Sequence, residues 1–483
     1  MAATRVDLLT ASKDSLFYDK ANGLYDPDGL ILLSMPPDKS RITLEDVRQE
    51  VRSRYGSEAD NGISSLEPLV LRVNANDCVQ LAVHNLLLDK GEDRLPDAAG
   101  DALMPKIVPL NVDQTEETEA EDVRPSARLA LSIPLLTGMP AYDHNLGVGI
   151  NRSREPLPSF TGAQVPKQTL QFYAGRLGLE PADSTEGVPD CPGDEPCPFV
   201  ITKIPYAFGT VPIKAVGDVI GHGVHGLFGT LIVEPQGATY HDAQTLAQQS
   251  GWELGTKAII RYQDEKGEER EFREFVLAYQ DGVNLHWPSP WDEMGEPLPN
   301  GEKVDAVVGD CPICDDSYDR GQKAINYRSA PFWARLRQGV GQDGTRIVND
   351  TGAGSNLNQF HFPENFFQES WHPVPTPVFI ASEGEEVRFR VFQSHGRARQ
   401  RAFVSFGHDY KDLLPEFGSP HAALLSPGKA MTATLEGGAK PGCYLYRDGP
   451  MQMFAGGVWG HFRVNPADGA SLKCESPTLA KGP

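Results

Sequence analysis

The sequence predicts an all-β protein built from two copies of one unit, and three observations carry that prediction. The first is a repeated ending: His225-Gly-Leu-Phe-Gly-Thr-Leu-Ile-Val-Glu-Pro235 aligns without a gap on Gly456-Gly-Val-Trp-Gly-His-Phe-Arg-Val-Asn-Pro466. The second is a repeated beginning, in which Asn74-Ala-Asn-Asp-Cys-Val-Gln-Leu-Ala-Val83 aligns on Ser382-Glu-Gly-Glu-Glu-Val-Arg-Phe-Arg-Val391, a tight turn leading into an alternating strand. The third is composition, because 48 Gly and 39 Pro in 483 residues suit many short strands joined by turns better than helices. The first copy has the longer stretch between its two ends, and the surplus is expected as loop insertions.

Length and charge narrow the function classes. A chain of 483 residues has room for about two to four domains, and 40% hydrophobic residues fill ordinary cores. The formal charge of −22 repels phosphate backbones and anionic lipid, so no nucleic-acid partner is expected. The same charge favours cations or basic partners, or only solvates a large surface. No stretch reaches the roughly 18 apolar residues of a membrane helix. The opening MAATRVDLLTASKDSLFYDK has no unbroken apolar core of a secretion signal. The chain as given therefore reads as soluble and cytoplasmic, or as exported if it has been processed. Seven cysteines are too few for a disulfide scaffold, and their odd number leaves at least one unpaired within the chain.

In chain order, residues 1–66 read as an N-terminal extension with one short surface helix in TLEDVRQEVRSRYG. Thr43 is a good N-cap with Asp46 three residues on, Val47 and Val51 share a face, and Gly56 can close the helix. Residues 67–254 form the first copy. It opens with PLVLRV, a turn at Asn74–Asp77 and CVQLAVHNLL, and continues through ARLALSIPLL and QTLQFYAGRL. Its insertions include the acidic run QTEETEAEDVRP with Glu116, Glu117, Glu119, Glu121 and Asp122. That run reads as a solvated loop, with a divalent-cation site as the alternative. His144 lies in a Gly/Asn-rich turn and reads as a turn residue. Residues 255–374 read as connecting strands, with clear alternation from Phe272 to Tyr279. They lead to the aromatic and arginine-rich AINYRSAPFWARL, which is expected to pack one domain on the next. Residues 375–466 form the second copy, and 467–483 a loop-like tail.

Two close cysteine pairs sit in acidic, turn-rich loops: Cys191 with Cys197, and Cys311 with Cys314. They fit a four-thiolate zinc site, a disulfide within either loop, or free thiols. Only the second pair has the two-residue spacing that lets thiolates turn back on one tetrahedral ion. His222 and His225, three apart in a Gly-rich turn, are the nearest approach to a copper or zinc ligand pair, and the chain contains no His-X-His. Loop histidines bonded to backbone carbonyls are the plain reading of the same residues.

Taken together, VNANDCVQLAVHNLL, FYAGRL, HGLFGTLIVEP, EVRFRV, FVSFGHDY and GCYLYRDGPMQMFAGGVWGHFRV resemble the cupredoxin-type domains of multicopper oxidases, particularly the large bacterial copper and manganese oxidase-like group. The resemblance spreads over most of residues 67 to 466 and implies two Greek-key β-barrel or sandwich domains. It also implies where copper ligands would stand. The family's last ligand motif runs Tyr-Arg-Cys-His, three residues, His, four residues, Met. On LYRDGPMQMFAGGVWG it puts Asp448 at the Cys position, Gly449 and Met453 at the two His positions and Val458 at the axial Met. The family's His-Pro-X-His-X-His-Gly-His pattern falls on Arg401 to His408, with Arg401, Val404 and Phe406 at the ligand positions and only the final, non-ligand His408 retained. Carried back without a gap to the first copy, the last motif falls on Gly217, Asp218, His222 and Leu227. A blue-copper centre needs a thiolate and two imidazoles, and neither copy supplies them. Cys78 and Cys443 read as packed thiols.

Three functions follow as expectations. The first is a multicopper-oxidase-like protein without the blue-copper and trinuclear ligand sets, serving as a structural or interaction module of a larger oxidase beside a protein partner or further cupredoxin domains. The second is a copper-dependent oxidoreductase of the metal-ion oxidase type, with non-family ligands drawn from the scattered histidines, Met451, Met453 and the acidic loops. The third is a metal-independent enzyme, for which G-X-S-X-G is absent. Copper and zinc are the cofactors considered, and no nucleotide cofactor is expected.

Overall fold

The computed structural model describes residues 1–9, 16–37, 39, 41–56, 65–87, 125–134, 137–138, 165–181, 199–218, 220–289, 298–308, 322–338, 366–369, 373–396, 400–410 and 422–474. The described chain is mostly strands in several sheets, as the Gly/Pro-rich alternating sequence predicts. No described helix is long and apolar enough to cross a membrane.

The internal repeat is written into the strand pairing. Leu69–Asn74 runs parallel to Phe228–Glu234 with Leu71 opposite Leu231 and Asn74 opposite Glu234. Phe379–Ser382 runs parallel to Trp459–Asn465 with Phe379 opposite Phe462 and Ser382 opposite Asn465. The sequence alignment puts Asn74 on Ser382 and Glu234 on Asn465, so the two repeated ends of each copy meet in one ladder with one register. Register shifts of one residue would turn every core side chain outward, which makes this coincidence a strong mark of duplication.

Each copy is a pair of facing sheets. In the first, one sheet runs Leu30–Leu33, Ala2–Arg5, Cys78–Leu86, Lys167–Tyr173, Thr137–Gly138, and the other runs Leu69–Asn74, Phe228–Glu234, Gly209–Ala215, Leu131–Ser132. Leu81, Val83 and Phe172 from one face meet Leu71, Ile213, Leu231 and Val233 from the other in a single core. In the second copy the strands Glu269–Asp281, Val387–Phe392 and Ala430–Thr434 face Phe379–Ser382, Trp459–Asn465, Gly442–Asp448, Arg401–Ser405 and Ala422–Leu425. Phe275, Phe389, Phe403, Tyr446 and Phe462 fill the space between.

The pairing also assigns strands that the sequence sets apart as an extension and a connector. Ala2–Arg5 lies parallel to Cys78–Leu86, with Ala2 opposite His84. Glu269–Asp281 lies parallel to Val387–Phe392, with Ala278 opposite Phe392. Each of these strands completes its own copy, and an antiparallel strand flanks each, Leu30–Leu33 and Lys323–Ile325 respectively. Both were hard to place from sequence because a parallel partner is reached only through a long crossover and leaves no local turn signal.

A third core lies between the copies and gathers Leu16, Tyr18, Phe228, Val276, Trp287, Tyr327, Trp333 and Phe392. Phe275, Leu277 and Tyr279 point into the second copy while Val276 and Ala278 point into this shared core, so the strand is buried on both faces. The helix Leu44–Tyr55 packs Val47 and Val51 against the same core. Its start is as expected: Thr43 Oγ1 accepts from the Asp46 N–H at 3.2 Å while Asp46 accepts from the Thr43 N–H at 2.8 Å.

The segment AINYRSAPFWARL makes contacts with both copies. The Tyr327 hydroxyl donates to the Gly226 carbonyl at 2.7 Å, and the Ala330 N–H donates to the Gly457 carbonyl at 3.1 Å. Gly226 and Gly457 are the same position of the repeated ending, so this one segment touches both copies at equivalent points. Both glycines have positive φ, 93° and 113°, and a Cβ on Gly457 would stand 2.8 Å from the Ala330 nitrogen.

The seam between the copies also buries four ionisable groups. Arg72 Nε donates to Glu274 at 2.8 Å, Arg390 Nε donates to the other Glu274 oxygen at 2.8 Å, and Arg390 Nη2 donates to Glu234 at 2.8 and 2.9 Å. All four side chains are buried. Burial alone would raise Glu274, but the two guanidiniums outweigh it and hold it below the usual carboxylate range. Glu234 is pushed up by burial and by the Glu274 charge, with Arg390 opposing.

Candidate functional site

Of the second-copy positions at which the resemblance implies copper ligands, Arg401, Asp448 and Gly449 lie together at one end of two adjacent strands, while Val404 and Phe406 lie further along. Arg401–Ser405 and Gly442–Asp448 are antiparallel neighbours, with Phe403 opposite Asp448. This brings Arg401 and Asp448 into contact inside the core, both fully buried. Arg401 Nε donates to Asp448 Oδ2, the Ala402 N–H donates to Asp448 Oδ1 at 2.9 Å, and Arg401 Nη1 lies 3.6 Å from Asp281. Burial raises the Asp448 carboxyl even though Arg401 and the backbone donors pull it down.

A guanidinium has no lone pair to give a metal and stays protonated, so it occupies a ligand position with a fixed positive charge. The neighbouring position is closed sterically: a Cβ on Gly449 would come within 2.8 Å of the Ala402 Cβ. Met453 and Val458 are buried apolar residues, and Phe406 is exposed. His408 has both nitrogens engaged, Nδ1 with the Phe406 carbonyl at 3.2 Å and Nε2 accepting from the Lys440 N–H at 3.0 Å. Met451 and Met453 sit two apart on the helix Met451–Ala455, the first 63% exposed and the second fully buried, so they do not share a face.

The equivalent end of the first copy corrects one step of the sequence alignment. The Val216 N–H donates to the Ala130 carbonyl just as Gly449 donates to Ala402, and Leu227 donates to the His222 carbonyl just as Val458 donates to Met453. His222 is thus equivalent to Met453, as the ungapped alignment has it, but Asp448 is equivalent to Ala215 rather than Gly217. The connection from Ala215 to His222 is two residues longer than that from Asp448 to Met453. Neither alignment supplies a thiolate there.

His222 and His225 lie on and just after the short helix Gly221–Val224, which separates Gly209–Ala215 from Phe228–Glu234. Both rings are buried, and they turn to different partners. His225 Nδ1 meets the buried Asp26 carboxylate at 2.9 and 3.0 Å. His222 Nε2 meets the Ser126 carbonyl at 2.6 Å, leaving its Nδ1 buried without a hydrogen-bond partner. The close neighbour of this segment comes from the other copy: His395 packs its ring on Gly223, bonds the Ala215 carbonyl through Nε2 at 3.1 Å, and also leaves Nδ1 buried without a hydrogen-bond partner. Because a carbonyl only accepts, each Nε2 carries the proton and each Nδ1 keeps a lone pair. Burial lowers the His222 pKa and pushes His395 down to about 4, so both rings are neutral at physiological pH. The approach of His395 to the His222 segment escaped the sequence, since the two are far apart in the chain and only the contact between copies joins them.

The remaining candidates divide. Cys191, Cys197, Cys311 and Cys314, His144 and the acidic run 116–122 lie outside the described residues. Cys443 is no packed thiol but is disulfide-bonded to Cys474, and Cys78 is a free and exposed cysteine. Compared with known proteins, the chain matches no family model and no curated protein.

Proposed function

We propose that this chain is a multicopper-oxidase-like cupredoxin protein that lacks the blue-copper and trinuclear ligand sets and acts as a structural or interaction module of a larger oxidase. The buried Arg401–Asp448 ion pair carries the reading, because it puts a fixed cation and its counter-charge where the family resemblance implies copper ligands. The blocked space at Gly449 supports it, as does the engagement of both His408 nitrogens. A partner surface is suggested by the helix tips. Ile220 and Met451 are equivalent residues of the two copies, and both are large apolar side chains left 61% and 63% exposed.

A second reading rests on one observation. His222 and His395 each hold a neutral, buried imidazole nitrogen without a hydrogen-bond partner, the second ring packing on Gly223 next to His222, and imidazole suits copper. A copper-dependent oxidoreductase of the metal-ion oxidase type would use that pair as non-family ligands.

One experiment separates the two. The protein, purified without a metal-affinity tag, is dialysed against copper, and its metal content and visible spectrum are recorded. The module reading expects no stoichiometric copper and no intense blue thiolate-to-copper band. Near-stoichiometric copper that is lost in both His222→Gln and His395→Gln supports the oxidoreductase reading, and an intense blue band overturns the loss of the thiolate site.

A further inference from the structure

The disulfide between Cys443 and Cys474 ties the last described residue to the strand Gly442–Asp448. Cys443 is exposed and Cys474 is buried, so a reductant reaches the bond from the Cys443 side. Two side chains with metal-binding chemistry lie beside Cys474. One potential ligand atom from each of Glu369, His461 and Cys474 falls within 4.8 Å of the others. The backbone fixes part of this arrangement, since the Glu369 N–H donates to the Cys474 carbonyl at 3.2 Å.

His461, on the strand Trp459–Asn465, is the informative member. Its Nε2 lies 2.7 Å from the Phe367 carbonyl, which can only accept, so Nε2 carries the proton and Nδ1 keeps its lone pair. Nδ1 is buried, has no hydrogen-bond partner, and faces Glu369 Oε1 at 3.7 Å. Two electron-pair donors thus face each other with no hydrogen between them, on a ring that is only 2% exposed. An Nε2–H fixed by a backbone carbonyl is also the usual way in which a metal-ligating histidine is oriented. Arg463 pairs with Glu369 and keeps the carboxylate in place.

We propose that reduction of the Cys443–Cys474 disulfide opens a zinc site formed by the Cys474 thiolate, His461 Nδ1 and a Glu369 carboxylate oxygen. While the disulfide is intact, the Cys474 sulfur is a poor ligand and the set is incomplete. A dithiol reductant supplies two electrons and two protons: its own thiols become a disulfide, the Cys443–Cys474 S–S bond breaks, and both cysteines become thiols. On binding, Cys474 gives its proton to solvent and its sulfur lone pair to the ion. Sulfur, nitrogen and oxygen ligands with water in the fourth position suit tetrahedral Zn²⁺.

The test uses Zn²⁺ alone, titrated calorimetrically into the full chain, with Co²⁺ as a spectroscopic stand-in. Cys443→Ser leaves Cys474 as a thiol without any reductant. The Cys443→Ser/Cys474→Ser variant also lacks the disulfide but has no sulfur ligand. Both carry the loop cysteines equally, and their melting temperatures check that both fold. The expected result is one more equivalent of Zn²⁺ in Cys443→Ser than in the double variant, a thiolate-to-cobalt band in the first only, and at least tenfold weaker binding when His461→Gln is added. Wild type is expected to gain the same equivalent on treatment with a phosphine reductant. Equal metal uptake by Cys443→Ser and the double variant overturns the proposal, as does oxidised wild type binding as tightly as reduced.

Discussion

Arg401 and Asp448 form a fully buried ion pair that joins two adjacent strands at the positions where the family resemblance implies copper ligands. The pair has few other partners: Arg401 reaches Asp281 only at 3.6 Å, and its two Nη nitrogens make no hydrogen bond. Removing one member therefore strands the other in the core. Asp448→Ala is expected to destabilise the protein by about 3–5 kcal/mol. The joint replacement Arg401→Met/Asp448→Leu should cost less than Asp448→Ala, because no uncompensated charge remains. Urea denaturation of the two variants checks the order, and a double variant at least as unstable as the single would contradict it.

The seam cluster makes a related but separable prediction. Arg390 donates to both Glu234 and Glu274, whereas Arg72 donates to Glu274 and to the Leu254 and Gly255 carbonyls. Arg390→Met should take from Glu274 one of its two guanidinium partners and from Glu234 its own, and destabilise by roughly 3–5 kcal/mol at neutral pH. The loss should shrink under acid, where Glu274 takes up a proton. An unfolding midpoint for Arg390→Met that falls as steeply below pH 5 as that of wild type would count against it.

The buried imidazoles set a limit on the acid side. The His395 pKa is lowered by burial from 6.5 to about 4, and His222 shifts in the same direction. An unfolded chain then takes up protons that the folded one refuses, so stability is complete above about pH 6.5 and falls as pH drops towards 4. For His395 alone that shift corresponds to about 3 kcal/mol. His395→Gln should flatten the stability profile between pH 6.5 and 4, measured by denaturant unfolding across that range. An unchanged slope would show that His395 is not the group responsible.

Gly457 is expected to be the less tolerant of the two equivalent glycines. A Cβ there crowds the Ser329 hydroxyl and the Ala330 and Pro331 nitrogens, while on Gly226 the nearest atoms are at 3.1 Å. With positive φ at both, Gly457→Ala should cost on the order of 1–3 kcal/mol and Gly226→Ala less. Thermal melts of the two variants measure the difference, and equal losses would place the cause in φ alone rather than in the contact with 329–331.

Much of the fold was legible where the signal is local. The capping box at Thr43 and Asp46, the turn at Asn74–Asp77 and the two matching endings all follow from residues a few positions apart. The candidate site was less so. His222 was visible as a ligand candidate or carbonyl-bonded loop histidine in a Gly-rich turn, but His395 was only one of several scattered histidines. Ala215 rather than Gly217 is the equivalent of Asp448 because a two-residue difference in one connection shifts the alignment, and only the strand pairing reveals it.

By itself the sequence determined that the chain is β-rich, that it repeats one unit, and that neither copy carries a cysteine at the position where the resemblance implies a copper-binding thiolate. Those properties reside in alternation, turn chemistry and residue identity, each readable within one short stretch. Only the tertiary structure decided which strands complete each copy, that Arg401 and Asp448 neutralise one another, that Cys443 is bonded to Cys474, and that His461 presents an unpartnered nitrogen to Glu369. The reason is common to all four. They are pairings across long sequence separations, set by how the sheets stack and cross over, and no residue carries in its own neighbourhood the identity of a partner that the fold brings from elsewhere.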